Sequence, residues 1–349
     1  MINRQRPTAN SQRPTAKVIL LLALTFLMAS CEKVIDFDPG DISPKIVMIS
    51  KPVNDSTVTV YLGYSRFFLD NSNFKTEVED ATVILEVNGT PYPTTGEESS
   101  IYGPKCYSFA VRPQPGDSLR LSAEVPGYKS VVTAETTIPR LPQIEITDCM
   151  IDTSNGYSYD DYYYSGEIAY RMRFKVKSNS NDEYFLVRIL MADHEVYGDT
   201  VNIRWDTADL NEYWFYVNDP IVNTSDITTF IDMDDGAFSG DEMYFSSEMF
   251  QNGEHEFTAE FQDWGGHYSA LDVSKRPLYL EVRSLTRDLY LYLVTTEHQS
   301  EADVYFSEPV QVHCNVSGGI GIFGGSCSTR FRVSNSRFEH FYNSSYKKR

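Results

Sequence analysis

Hydrophobic and polar residues alternate in short runs along most of this chain. In Ala81-Thr82-Val83-Ile84-Leu85-Glu86-Val87 and in Leu119-Arg120-Leu121 the period is two, which turns successive side chains to opposite faces of a strand. Asn88-Gly89 and Gln114-Pro115-Gly116-Asp117 punctuate these runs as turns. Runs at 45–50, 57–64, 81–87, 106–111, 118–125 and 131–137 predict six strands, spaced as in an immunoglobulin-like or transthyretin-like sandwich over 45–138. Pro139 and Pro142 favour extended backbone and predict a linker at 139–143. Beyond it, runs at 144–151, 166–176, 183–191, 255–262, 278–285, 309–316 and 329–334 predict a larger β-sandwich-like domain over 144–349. The tyrosine-rich stretch 158–165 reads as an exposed loop, and from 196 to 249 the pattern fades. One helix is expected over 286–302, where Leu289, Leu293 and Thr296 recur at i, i+4 and i+7. The fold class expected is all-β with one helix.

The pattern breaks entirely at the start. Arg4, Arg6, Arg13 and Lys17 precede an apolar run from Val18 to Met28, followed by Ala29, Ser30 and Cys31. A basic stretch, a short apolar core and small residues are the parts of a secretory signal peptide. The run falls short of the ~20 residues that span a bilayer. Leu27-Met28-Ala29-Ser30-Cys31 resembles a bacterial lipobox, in which the chain is cut before the cysteine and lipid is joined to its sulfur and amine. The expected layout is therefore a signal peptide at 1–30, then an anchor and tether at 31–44 carrying Asp36, Asp38 and Asp41.

Charge narrows the partners. Residues 1–30 hold four basic and no acidic residues, so their removal takes the formal net charge from −19 to −23. Such a body lacks the basic surface that replaces phosphate counterions, which excludes nucleic acid as a partner. With Cys31 lipidated, Cys106, Cys149, Cys314 and Cys327 remain, in a compartment that permits disulfides. Cys314 and Cys327 flank one glycine-rich loop in what reads as a hairpin, so that bridge is expected first, with Cys106–Cys149 as the second. Four buried thiols are the alternative.

Candidate chemistry is sparse. The glycine-rich stretch 318–325 lacks the Lys-Ser/Thr of a phosphate loop and precedes a strand, so a tight structural loop is expected. Asp232-Met233-Asp234-Asp235-Gly236 fails the spacing of a calcium loop. The six histidines are scattered, and no Gly-x-Ser-x-Gly elbow occurs. No catalytic set, metal site or cofactor is expected. Trp205, Trp214 and Trp264 are the candidate ligand-binding residues, because an indole face stacks on sugar rings. Trp264, beside Gly265-Gly266, is the first of them.

Several stretches also carry a resemblance. Ser246-Ser247-Glu248-Met249-Phe250-Gln251-Asn252-Gly253, Phe306-Ser307-Glu308-Pro309-Val310 and Asn315-Val316-Ser317-Gly318-Gly319-Ile320-Gly321-Ile322-Phe323-Gly324-Gly325 stand in this order. With the Cys31-Glu32 start, they resemble a Bacteroidetes outer-membrane lipoprotein family of unknown function, the domain-of-unknown-function 4249 family. Its members are often encoded beside TonB-dependent transporters. The resemblance implies a surface lipoprotein that serves a transporter complex as a non-enzymatic accessory to nutrient uptake. It assigns no catalytic residue. A stand-alone glycan- or peptide-binding lipoprotein is the competing expectation.

Overall fold

Why the strands fall where they do is visible in β1 (Ile46–Ser50), whose side chains alternate between fully buried and half-exposed. Seven more strands follow: β2 (Val58–Tyr64), β3 (Thr82–Val87), β4 (Thr90–Pro93), β5 (Gly96–Glu98), β6 (Cys106–Phe109), β7 (Ser118–Glu124) and β8 (Val132–Thr137). In the computed structural model the described residues are 43–333, apart from 55, 67–75, 79, 99–105, 153–156, 161–162, 166–167, 198–199, 208–212, 218, 224–237, 240–241, 264–266, 270–277 and 302–310. The anchor and tether expected at 31–44 thus lie almost wholly outside them, and the signal peptide wholly so.

The first sandwich packs sheet I (β1, β2, β6 and β5, with a late strand described below) against sheet II, ordered β4-β3-β7-β8. Its core gathers Ile46, Met48, Val58, Val60 and Leu62 against Val83, Leu85, Leu119, Leu121 and Ala123. The alternation read at 81–87 and 119–121 is therefore the inward row of sheet II.

After the prolines come β9 (Gln143–Asp152), β10 (Tyr157–Asp160), β11 (Tyr163–Ser165), β12 (Ile168–Lys177), β13 (Tyr184–Tyr197), β14 (Thr200–Thr207), β15 (Tyr213–Val217), β16 (Phe238–Ser239), β17 (Glu242–Ser246), β18 (Glu254–Asp263), β19 (His267–Ser269) and β20 (Leu278–Leu285). Sheet III runs β16-β15-β18-β12-β9. Sheet IV runs β14-β13-β20 and ends on β22 (Ser326–Arg332), with β17 also on β13. Between them lies an aromatic core in which Phe174, Phe185, Phe245 and Phe257 are fully or almost fully buried, with Phe245 and Phe257 ring centroids 4.6 Å apart. The region 158–165 is not the loop expected: β10 and β11 pair with β19 in a small sheet of their own. Strands β14, β15 and β17 likewise fill the stretch where the pattern fades.

The boundary at 139–143 separates β8 from β9, yet the chain later crosses back. Strand β21 (Ile320–Phe323) pairs in parallel with β1, Val47 against Ile320 through Ser50 against Phe323. Two residues later β22 begins in sheet IV, with Leu285 against Ser326. The segment 318–325 is thus no hairpin but a crossing between sandwiches, and Pro44–Arg349 forms one compact unit. The strand expected at 309–316 has no ladder over its described part, 311–316. The Asn315 amide holds this stretch instead, donating to the Phe323 carbonyl and accepting from its N–H, both at 2.9 Å.

Glycine is required where the crossing touches other backbone. Gly321 has φ of 125°, and a side chain there would run into the Met48 backbone. A Cβ at Gly324 would lie 2.5 Å from that of Leu289. Leu289 belongs to helix α1 (Arg287–Glu301), the helix read at 286–302. This helix lies between the outer faces of sheets I and IV: Leu289 and Leu293 meet Ile49 and Ile322 on one side, Leu186 and Leu285 on the other. Leu289 is 2% exposed, so Leu289→Ala should cost about 2–5 kcal/mol, read by urea denaturation. A loss below about 1 kcal/mol would mean that the helix does not bind the sandwiches together.

Candidate functional site

Charges interrupt three apolar runs: Arg188 in Phe185-Leu186-Val187-Arg188-Ile189, Glu281 (with Arg283) in Leu278–Leu285 and Glu242 ahead of Met243-Tyr244-Phe245. Such a charge faces away from the core or finds a partner. These three do both. Val187 and Val282 point into the aromatic core, so Arg188 and Glu281 stand on the outer face of sheet IV. Register places Glu242 opposite Arg188, Arg188 opposite Glu281, and Glu281 opposite Arg330. Acid and base alternate across four strands, the favourable pairing for direct cross-strand neighbours.

Glu281 is the hub and is 0% exposed. Arg188 Nε donates to its Oε2 at 2.6 Å, and Arg330 Nε to its Oε1 at 3.0 Å. Ser328 Oγ donates to Oε1 at 2.5 Å, and Arg283 Nε lies 3.0 Å from Oε2. Arg188 also donates from Nη1 to Glu242 at 2.7 Å, and the Tyr244 hydroxyl donates to the same carboxylate.

Burial alone would raise the Glu281 carboxyl; the charges of Arg283 and Arg188, the Ser328 hydroxyl and Arg330 outweigh it and hold the group down to about 2. Burial lowers Arg283, with Glu281 opposing. Burial would lower Arg188 too, but Glu281 and Glu242 carry it upward. The Tyr244 hydroxyl is pushed up, by burial first and Glu242 next. A carboxylate this far down, with both oxygens taken by donors, does not exchange protons near neutral pH. Its chemistry is that of a fixed cross-strand clamp beside the face that α1 covers.

The outer face of sheet III carries a second charge pattern. The outward positions of β12 are Arg171, Arg173, Lys175 and Lys177, and its inward ones are the buried Tyr170, Met172, Phe174 and Val176. Acids on both neighbouring strands answer them: Glu260 and Asp148 at 2.6 and 3.0 Å, Glu254 and Glu145 at 3.1 and 3.0 Å. Lys175–Glu254 is half-buried and the other three pairs are exposed, so water screens them and they add little to stability.

Two histidines pair with aspartates. His255 Nε2 lies 2.8 Å from Asp219, whose other oxygen accepts the Ile221 N–H and caps the helical turn Pro220–Asn223. His313 Nε2 lies 2.8 Å from Asp288 in the first turn of α1, and so fastens 311–317 to the helix. Among the described residues no group of three or more His, Cys, Asp or Glu is placed to hold a metal ion.

The expected disulfides are corrected by the structure. Among the described residues no bridge forms: Cys314 is an exposed thiol and Cys327 a buried one. Cys314 lies outside any strand, and Cys327, in β22 beyond the crossing, turns into the first core instead of toward a hairpin partner. Cys106, on β6 of sheet I, and Cys149, on β9 of sheet III, belong to different sandwiches. Trp205 lies in β14 and Trp214 in β15, which are strands of different sheets. Trp264 and Cys31 fall outside the described residues.

Sequence reasoning did not single out Arg188, Glu242, Glu281 or Arg330. The available signal was a charge at an outward position within an apolar strand, but naming its partner across the sheet requires the register.

Among solved structures, a chain from one titled "Chaperone-tip adhesin complex is vital for synergistic activation of CFA/I fimbriae biogenesis" is 8% identical. The match covers 68% of this chain and 77% of that one at a TM-score of 0.18, and carries no argument. No curated protein matches the chain. The family described as "Domain of unknown function (DUF4249)" matches residues 32–332, and the chain belongs to it.

Proposed function

We propose that this chain is a surface-exposed lipoprotein of the outer membrane, and a non-enzymatic accessory subunit of a TonB-dependent, SusCD-like nutrient uptake complex. The observation that carries the reading is Leu27-Met28-Ala29-Ser30-Cys31, placed directly after a basic and then an apolar stretch. Lipid on Cys31 anchors the protein, and the acidic residues 32–44 serve as the tether. A net charge near −23 disfavours close contact with anionic headgroups, which leaves the body free to meet a protein partner. Among the described residues no helix is long and apolar enough to cross a membrane. The reading gives the folded part the role of a stiff bracket, in keeping with the buried Glu281 clamp across sheet IV.

Cys31→Ala tests the anchor. Cells fed an alkyne fatty acid should label the wild-type chain and leave the variant unlabelled and released from membranes. A variant that keeps both the label and its place in the membrane fraction would contradict the reading.

A further inference from the structure

The open edges of the sheets are closed off in different ways. Edge strand β4 carries Pro91 and Pro93, which have no N–H to offer a neighbour. Edge strands β5 and β16 are three and two residues long. The edge of sheet III at β9 is unlike these. It is ten residues long, and among the described residues it pairs with β12 alone. Gln143–Asp152 contains no proline, glycine, lysine or arginine, the residues that commonly blunt an edge. Two blunting devices are present, its acidic side chains and a bulge at Thr147 where the pairing slips between Ile146 and Asp148.

Two features of β9 describe what would fit beside it. Ile144, Ile146 and Cys149 point toward the second core but stay partly exposed, whereas Met150, opposite Arg171, stands on the outer face. The apolar row of sheet III therefore ends half covered. The charged side chains of β9 are Glu145, Asp148 and Asp152, all acidic. Glu145 and Asp148 each touch one cation, Lys177 and Arg173, through one oxygen at 3.0 Å. A carboxylate has capacity for a second donor.

We infer that β9 is a docking edge for an extended segment of another protein, one that alternates apolar with basic side chains and adds a sixth strand to sheet III. Its apolar side chains would cover Ile144 and Ile146. Its basic ones would face Glu145 and Asp148 directly across the new ladder. A second copy of this chain does not suit the edge, because β9 brings only acidic side chains and none of the cations that would answer them. The inference does not rest on the lipoprotein reading, and each can fail without the other.

The test uses the full chain and three synthetic peptides of about ten residues with the same valines. The alternate positions are lysine in the first and glutamate in the second; the third is the lysine peptide with two central prolines. Hydrogen exchange followed by mass spectrometry should show the lysine peptide slowing the amides of 143–152. Titration should show it binding about tenfold tighter than the glutamate peptide, the sum of two or three cross-strand charge pairs. The proline peptide should not protect these amides. Glu145→Lys with Asp148→Lys, at an exposed and a half-exposed position of the outer face, should reverse the preference while leaving far-ultraviolet circular dichroism unchanged. Equal binding of the two charge types would overturn the inference. So would lysine-peptide binding without added protection of 143–152, protection in the free chain of the β9 amides that point away from β12, or a dimer that protects those same amides by itself.

Discussion

Replacing Glu281 with alanine should lower the unfolding free energy by about 3–5 kcal/mol, the largest single effect expected of any charged residue described. The reason is what remains behind. Arg188, Arg283 and Arg330 converge on a carboxylate that is 0% exposed, and its removal leaves three guanidinium groups facing one another with Glu242 as the nearest acid. Urea denaturation of the variant measures the loss, and a change under about 1 kcal/mol would show that the row is an ordinary surface pairing. The sign of the pH dependence follows from the same group. The folded carboxyl lies at about 2, below its ordinary value of 4.5, so its stabilisation is fully present above pH 4.5. It is lost progressively as pH falls from there toward 2. Over that window Glu281→Gln should show a flatter decline than the wild type, because it has no proton to gain.

Gly321→Val should have an effect of similar or greater size, about 4 kcal/mol or more. The residue has φ of 125°, and its Cβ position is taken by the Met48 backbone. Valine there must push β21 out of sheet I. The ladder from Val47 to Ser50 would be lost, and Ile322 and Phe323, both 0% exposed, would leave their cores. Because this one strand closes the first sandwich while its continuation β22 closes the edge of sheet IV, the damage should reach both. Hydrogen exchange should quicken in β1 and β2 and also in β20. Faster exchange confined to 318–325 would instead mean that the first sandwich stands without its late strand.

How much of this could be read beforehand depended on distance along the chain. Strands with their own alternation, such as β3, β7 and β12, announce themselves because one face is core and the other solvent. Helix α1 was readable from Leu289 and Leu293 for the same reason. What could not be read is long-range register. The glycines at 318–325 signal close approach, but nothing in them says that the approached backbone is Met48, some 270 residues earlier in the chain. The cysteines misled through the same gap: Cys314 and Cys327 are near neighbours in a hairpin, yet the chain there crosses from one sandwich to the other. Glu281 lay hidden because a single acid in Leu278–Leu285 has many possible partners, and only the pairing with β13 and β22 selects Arg188 and Arg330.

Clamp, crossing strand and intervening helix together make one stiff body from two sandwiches. That body is what the proposed accessory role requires, since a subunit held beside a transporter must keep its geometry. The most direct test is affinity purification of the tagged chain from native outer membranes in mild detergent, followed by mass spectrometry. The account predicts a TonB-dependent transporter recovered in stoichiometric amount with the wild type and lost with Cys31→Ala. A lipidated wild-type chain that repeatedly comes through alone would contradict it.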